Sequence, residues 1–148
     1  MRFSRKITPP AEQRASLREL FGDAVDVVEI VEHSWFAWLH VVAAATTRRR
    51  RIYLRGSAAQ FFADPKLVLH EYYHVLGQWE SGALTVWRYL LESFRRGYWD
   101  NRFEIEAREF ADDQFLRFRA LLARHRNANN PAIRHAWTPT QPSSASRL

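Results

Sequence analysis

The stretch 65–79, PKLVLHEYYHVLGQW, carries the pattern His-Glu-x-x-His at His70, Glu71 and His74. The aspartate just before it and the proline at its start predict that a helix begins here. Residues four apart on a helix are separated by one turn and about 40° of rotation, so both imidazoles leave the same face. Two imidazoles placed in this way can bind one zinc ion. With six histidines and ten glutamates in the chain, chance predicts only roughly 0.016 such patterns.

Glu71 points about 100° away from His70, so it flanks an ion held by the two histidines rather than binding it. A carboxylate in that position can take a proton from a zinc-bound water and later deliver it to a leaving amine. The pattern therefore predicts Glu71 as the catalytic general base of a hydrolytic zinc site.

A third ligand is expected from elsewhere, because catalytic zinc sites usually have three protein ligands and one open position. The stretch 101–111, NRFEIEAREFA, offers three glutamates. If Phe103, Ala107 and Phe110 face the core, Glu106 lies on the inner edge of its helix. Glu106 is therefore the preferred third ligand. The alternatives are Glu104, a supporting Glu109 and the histidines His33, His40, His125 and His135.

Periodicity and turn residues predict an α+β fold around the zinc helix. Helices are expected at 11–21, 65–78, 83–96 and 101–126, and strands at 24–32 and 51–54. We expect a small β-sheet packed on the HExxH helix and two further helices. Residues 1–126 are expected to form one domain, and the Asn-, Pro- and Ser-rich residues 127–148 a flexible tail.

Composition excludes several classes of protein. The chain has 148 residues, 47% of them hydrophobic, which suits one folded domain with a real core. It has no cysteine, so disulfide scaffolds, thiolate zinc sites and cysteine nucleophiles are excluded. The sequence shows neither a secretory signal nor a run of about 20 apolar residues, so we expect a cytoplasmic protein without a membrane segment.

The charge balance raises the question of an acidic partner. The net charge is +6, from 22 basic and 16 acidic residues. Such a balance favours nucleic acid or another acidic surface. The arginines are mostly dispersed, however, and the dense block 48–51 reads most simply as a solvated turn entering a strand. Nucleic acid is therefore not the expected main partner.

Two stretches together resemble a known group. HEYYHVLGQW, followed some thirty residues later by FEIEAREFA, is similar to the short bacterial zincin-like domains that carry HExxHVxQ and then E-x-E-A. The resemblance covers about residues 7–115, and the order at 106–111 also resembles the glutamate zincins of the ImmA/IrrE type. It implies a minimal zincin-like, gluzincin-like domain with Glu106 as the third zinc ligand. Two features depart from the group: the bulky pair Tyr72-Tyr73, and Phe110 where many gluzincins have an aspartate.

These observations predict a zinc metallopeptidase that acts on a peptide or protein. His70, His74 and Glu106 would bind Zn²⁺, and Glu71 would act as general base. Two hypotheses of other classes stay open: a catalytically inactive zincin-fold binding or structural module, and a nucleic-acid-binding domain. A helix with two surface histidines and no metal is the structural alternative for the motif. The oligomeric state is not predicted.

Supporting roles are also expected around the zinc helix. Tyr89, Tyr98 and Arg102 lie between the two ligand segments and are candidates for stabilising an oxyanion. Gln78, one turn past His74, is a candidate for supporting a ligand from outside the metal. An extended substrate is expected to pair with an edge strand at 52–54.

Overall fold

Four short strands and five α-helices make up the computed structural model, which describes residues 5–33, 45–48 and 50–130. The strands are β1 (Arg5–Ile7), β2 (Glu29–Glu32), β3 (Ala45–Arg48) and β4 (Arg51–Leu54). The helices are α1 (Ala11–Phe21), α2 (Ala58–Ala63), α3 (Pro65–Tyr72), α4 (Val86–Arg96) and α5 (Arg102–Ala128). A 3₁₀ segment, Gly22–Val27, follows α1, and a π-helical segment, Tyr73–Trp79, continues α3. The predicted α+β class is confirmed.

The sheet has the order β1-β2-β4-β3. β2 pairs with β4 in parallel, with Ile30 opposite Ile52, and the two outer pairings are antiparallel. β4 is therefore an inner strand, and the expectation of an edge at 52–54 is wrong. The short β3 takes that edge among the described strands, because it returns antiparallel along β4.

Several predicted boundaries are confirmed by local geometry. α1 ends at Gly22 and α4 ends at Gly97, and both glycines have a positive φ, of 76° and 79°. Such a backbone is accessible to glycine at little cost, so the chain can leave each helix there. β4 matches the predicted strand 51–54, and α5 begins one residue after its cap, Asn101.

The predicted strand 24–32 is only half correct. Its first part is the 3₁₀ segment, and only Glu29–Glu32 pairs in the sheet. That part packs against α1 instead: its Val25 is buried in the core, Arg14 Nε lies 2.7 Å from Asp26 Oδ1, and Arg18 Nη2 lies 2.5 Å from Asp23 Oδ1. These contacts hold the segment against α1 before it reaches the sheet.

The core lies between the sheet and the packed helices α1, α3 and α5. Its fully buried side chains include Leu17, Ile30, Ile52, Val68, Leu69, Tyr72, Val75 and Phe118. α3 is central, since it contacts both α5 and β3. The HExxH pattern therefore begins in a helix of the core and ends in the π-helical segment that continues it. None of the helices in the described ranges is long and apolar enough to cross a membrane.

The proposed division at residue 126 is not tested by the structure. α5 runs to Ala128, two residues past the predicted end of the domain. Residues 131–148 of the predicted tail lie outside the described residues, as does most of the aromatic stretch 35–45.

Candidate metal centre

The start of α3 is fixed by its cap. Asp64 Oδ1 accepts hydrogen bonds from the amides of Lys66 and Leu67, each at 3.1 Å, and Pro65 occupies the first helical position. These amides have no partner within the helix, so the aspartate supplies one. The predicted cap is confirmed, and it sets the phase in which the motif follows.

A π-helical turn follows Tyr72. The amide of Glu80 donates to the carbonyl of Val75 at 3.1 Å, which is a five-residue step. The predicted helix over 65–78 is thus confirmed in extent. Its second half is a π-helical turn, which is wider than an α-helical one. His74 and Gln78 lie in the widened part and are both buried. Short π-helical turns of this kind occur often at functional sites.

Two imidazoles and one carboxylate meet beside this turn. His74 Nε2 lies 3.0 Å from His70 Nε2. Glu104 Oε2 lies 3.2 Å from His70 Nε2, and Glu104 Oε1 lies 3.5 Å from His74 Nε2. Three groups of metal-ligating type from two distant segments therefore converge, and together they could hold one metal ion.

The spacing of these atoms fits a small tetrahedral ion. Zinc bonds of about 2.0–2.1 Å to nitrogen and oxygen place neighbouring ligand atoms about 3.3 Å apart in a tetrahedron. The separations are close to that value: 3.0 Å between the two Nε2 atoms, 3.2 Å from His70 Nε2 to Glu104 Oε2, and 3.5 Å from His74 Nε2 to the other oxygen, Oε1. Glu104 Oε2 is also buried without a hydrogen-bond partner among the described residues. A buried carboxylate oxygen in this state is costly, and a bound cation would satisfy it.

The third group is Glu104, whereas the sequence favoured Glu106. Glu104 is 4% exposed and points at the imidazoles, but Glu106 is exposed and its Oε2 accepts from Gln78 Nε2 at 3.1 Å. The structure thus places Glu104, the less favoured glutamate, at the histidines. Glu106, the preferred one, contacts Gln78 instead.

The difference comes from the face that α5 buries. Its buried side chains include Phe103, Ala107, Ala111 and Phe118, whereas Phe110 is only half-buried. At about 100° per residue, the centre of that face lies between Ala107 and Phe118, and Glu104 is at its edge, in line with the buried Leu122. Counting Phe110 as a core position turns the expected buried face of α5 toward Glu106.

Gln78 connects Glu106 to His74. Its Nε2 donates to the carbonyl of Phe103 at 2.9 Å and to Glu106, so its Oε1 is the atom left to face His74 Nδ1 at 2.7 Å. An oxygen there accepts the Nδ1 proton and leaves the Nε2 lone pair of His74 for an ion. The predicted supporting position of Gln78 is therefore the observed one.

Two tyrosines and one asparagine hold Glu104 from the other side. Tyr89 Oη donates to Glu104 Oε1 at 2.9 Å, and the phenol of Tyr98 is close enough for the Glu104 charge to raise its pKa. Burial, followed by the charge of Glu104, raises the pKa of both phenols, so both remain donors. Asn101 caps α5 through Phe103 N and donates to Ser93 of α4 at 2.8 Å, which ties the two helices together.

The charged neighbours of Glu104 and His74 shift the pKa of each group in the direction opposite to the shift that burial causes. Burial tends to raise the pKa of Glu104, but its contacts with His70 and His74 outweigh this and hold that pKa well below its usual range. Burial likewise tends to lower the pKa of His74, while Glu104 and the charge of Glu71 raise it, with a net increase. The ionised form of Glu104 is thus favoured beside the two imidazoles, where a cation is favoured as well.

Glu71 is buried next to the ligand group. Its side chain is 5% exposed, and burial raises its pKa, opposed by His74 and His70 and assisted by Glu104. Burial therefore favours the neutral form of Glu71, and the neighbouring histidines favour its ionised form. Its role as a general base stays a prediction.

The remaining candidates lie elsewhere. His125 Nε2 lies 2.6 Å from Glu19 Oε1, at the far part of α5, and His33 lies in the turn after β2. The guanidinium of Arg102 is 4.6 Å from the ring centre of Phe103. Glu109 is exposed. His40 and His135 are outside the described residues.

No protein-family model, curated protein or solved structure matches this chain.

Proposed function

We propose that the protein is a zinc-dependent metallopeptidase in which His70, His74 and Glu104 hold the ion. The convergence of these three groups at separations of 3.0–3.5 Å carries the proposal. The resemblance of the HEYYHVLGQW segment to zincin-like domains agrees with it.

In the proposed hydrolysis, Glu71, Gln78 and Tyr89 have different roles. Zinc would supply Lewis acidity, lowering the pKa of a coordinated water and polarising the scissile carbonyl. Glu71 accepts the proton of the attacking water and returns it to the amine nitrogen as the C–N bond breaks. Gln78 and Tyr89 keep His74 and Glu104 in place throughout.

The edge strand β3 supports a way to present the substrate. Among the described strands it is an outer one, and it contacts both α3, which carries His70, and the π-helical segment, which carries His74. An extended peptide pairing with its outer side would add one more strand beside the site. This replaces the inner strand β4 as the expected docking edge.

The proposal is tested with purified protein loaded with zinc. Metal analysis is expected to show about one zinc per chain. Wild type is expected to cleave members of a peptide library, while Glu71→Gln keeps the zinc and loses cleavage. If the wild type binds no metal at any zinc supply, the metal site is refuted. If it binds zinc but cleaves nothing, the protein is instead an inactive zincin-fold module.

A further inference from the structure

Helix α4 carries its large apolar residues on the outward face. Trp87, Leu90, Leu91 and Phe94, here called the apolar stripe, are 81, 50, 51 and 90% exposed. At about 100° per residue they fall within an arc of about 100°, so they form one continuous surface. Scattered exposed apolar residues are ordinary, but a stripe of four over two turns marks a contact with another surface.

The polar face of α4 is turned inward and is held there. Tyr89 donates to Glu104, and Ser93 accepts from Asn101 at 2.8 Å. Rotating the helix to bury the stripe would break both contacts and move a group of the metal centre. The outward position of the stripe therefore belongs to the fold.

Positive charge lines one flank of the stripe. Arg88 and Arg95 lie about 80–100° from Trp87 around the helix, and both are exposed. Arg88 donates to the carbonyls of Gly82 and Ala83, which leave its charge unneutralised. The acidic residue of the helix, Glu92, lies further round and pairs with Arg96 at 3.3 Å.

An arginine–aromatic contact lies just beyond the helix. Trp99 is 68% exposed, and the guanidinium of Arg108 lies 5.8 Å from its ring centre. Exposed indoles with adjacent arginines suit the boundary between lipid headgroups and acyl chains, where one end of a side chain is apolar and the other polar.

We propose that the apolar stripe, together with Arg88 and Arg95, binds the surface of an anionic lipid bilayer, with α4 lying in the plane of the headgroups. A helix with tryptophan, phenylalanine and leucine on one face and arginine beside them has the composition of in-plane membrane helices. The net charge of +6 attracts the whole chain to such a surface. Binding of this kind needs no spanning helix and does not depend on the proposed metal.

Two other partners fit the apolar stripe less well than a bilayer does. A second copy packed stripe to stripe carries the same net charge of +6, which opposes association. Nucleic acid would neutralise the arginines but leave the leucines and Phe94 in water. An anionic bilayer accepts both the apolar stripe and the charge.

The test is co-sedimentation of the full chain with vesicles of phosphatidylcholine alone or mixed with phosphatidylserine. Wild type is expected to bind the mixed vesicles, and to bind more weakly as salt rises. Arg88→Gln with Arg95→Gln is expected to weaken binding about 30-fold. Trp87→Ser with Phe94→Ser is expected to weaken it at least about tenfold.

Matched controls come from α5. Leu116 is 76% exposed, and Arg117 is exposed beside it, so Leu116→Ser and Arg117→Gln remove the same kinds of group elsewhere. Both controls are expected to bind vesicles like wild type. Circular dichroism confirms that each variant is folded, which is expected because every changed side chain is exposed.

Three results would overturn the proposal. The first is folded wild type that does not sediment with the mixed vesicles at low salt. The second is equal loss of binding in the stripe variants and the α5 controls. The third is a wild-type dimer in sedimentation equilibrium that becomes monomeric in Trp87→Ser/Phe94→Ser, without lipid binding, which would assign the stripe to a second copy.

Discussion

At the scale of single residues, the two glutamates of the E-x-E element have different tasks. Glu104 contacts the imidazoles directly. Glu106 contacts Gln78, which in turn contacts the ring of His74. An ion at the centre would therefore depend strongly on one glutamate and weakly on the other.

Glu104→Gln is expected to reduce zinc affinity by more than the about 10–100-fold that follows loss of an outer partner, because an amide is a poor replacement for a carboxylate ligand. Glu106→Gln is expected to change it less than about tenfold, since its amide oxygen can still accept from Gln78. Competition with a fluorescent chelator measures both. The reverse order of effects would restore Glu106 as the ligand.

At the scale of elements, the junction between α4 and α5 positions the centre. Asn101 is fully buried, caps α5 and bonds to Ser93 of α4. Three residues later, Glu104 receives the hydroxyl of Tyr89 from the same α4. The junction and the ligand are therefore part of one hydrogen-bonded unit.

Asn101→Ala is expected to destabilise the fold by about 1–2 kcal/mol and to weaken zinc binding as well, because Glu104 loses its fixed helix start. Ser57→Ala is the matched control. Ser57 caps α2 with a reciprocal Gln60 contact, so its loss removes a cap far along the chain from Glu104. Urea unfolding and zinc titration of both variants separate the effects. Equal zinc affinity in the two variants would show that the junction does not position the ligand.

A second element-scale contact joins the sheet to α2. Glu32 Oε2 accepts from the buried amide of Ala58 at 2.9 Å, and Glu32 Oε1 lies 2.8 Å from Arg5 Nη2. The amide of Ala58 holds the pKa of Glu32 below its usual range, with help from Arg5 and against burial. The ionised carboxylate is therefore the form that the fold prefers.

The sign of the pH dependence follows from this lowered pKa. The stabilisation that ionised Glu32 gives the fold is fully present above the pKa of this group in the unfolded chain, which is about 4.5. It is lost as the pH falls through the lower pKa of Glu32 in the folded protein. Glu32→Gln is expected to lose about 1–2 kcal/mol at neutral pH and to lose less further stability on acidification than wild type. Urea unfolding between neutral and acid pH measures this, with the exposed Glu109→Gln as control. Parallel curves for wild type and Glu32→Gln would contradict it.

At the scale of the whole molecule, a bound ion would join two distant parts of the chain. His70 belongs to the central helix α3 and His74 to the π-helical segment that continues it, whereas Glu104 belongs to α5, which packs on α3 and α1. A ligand that binds the folded state alone raises the free energy of unfolding by an amount set by its concentration and affinity.

Zinc at about 100 times its Kd is expected to add about 2.7 kcal/mol, and to raise the Tm by roughly 5–10 °C for a domain of this size. Differential scanning calorimetry with zinc and with a chelator measures the shift. Glu104→Gln is the control and is expected to show little shift. An identical Tm for wild type under both conditions would argue against a site linking α3 and α5.

The sequence by itself determined the local features. The cap at Asp64, the helix carrying His70 and His74, and the stops at Gly22 and Gly97 follow from interactions within a few residues. The same spacing placed Glu71 beside the histidines, because helix geometry alone sets that angle.

Tertiary structure decided what depends on distant partners. It selected Glu104 over Glu106, because the phase of a long helix is set by the core that it packs against. It made β4 an inner strand, since pairing order depends on segments far apart in the chain. It also turned the apolar residues of α4 outward, because the polar side of that helix is held by Glu104 and Asn101. Periodicity reveals that a helix has an apolar face, but only the packed molecule shows what that face meets.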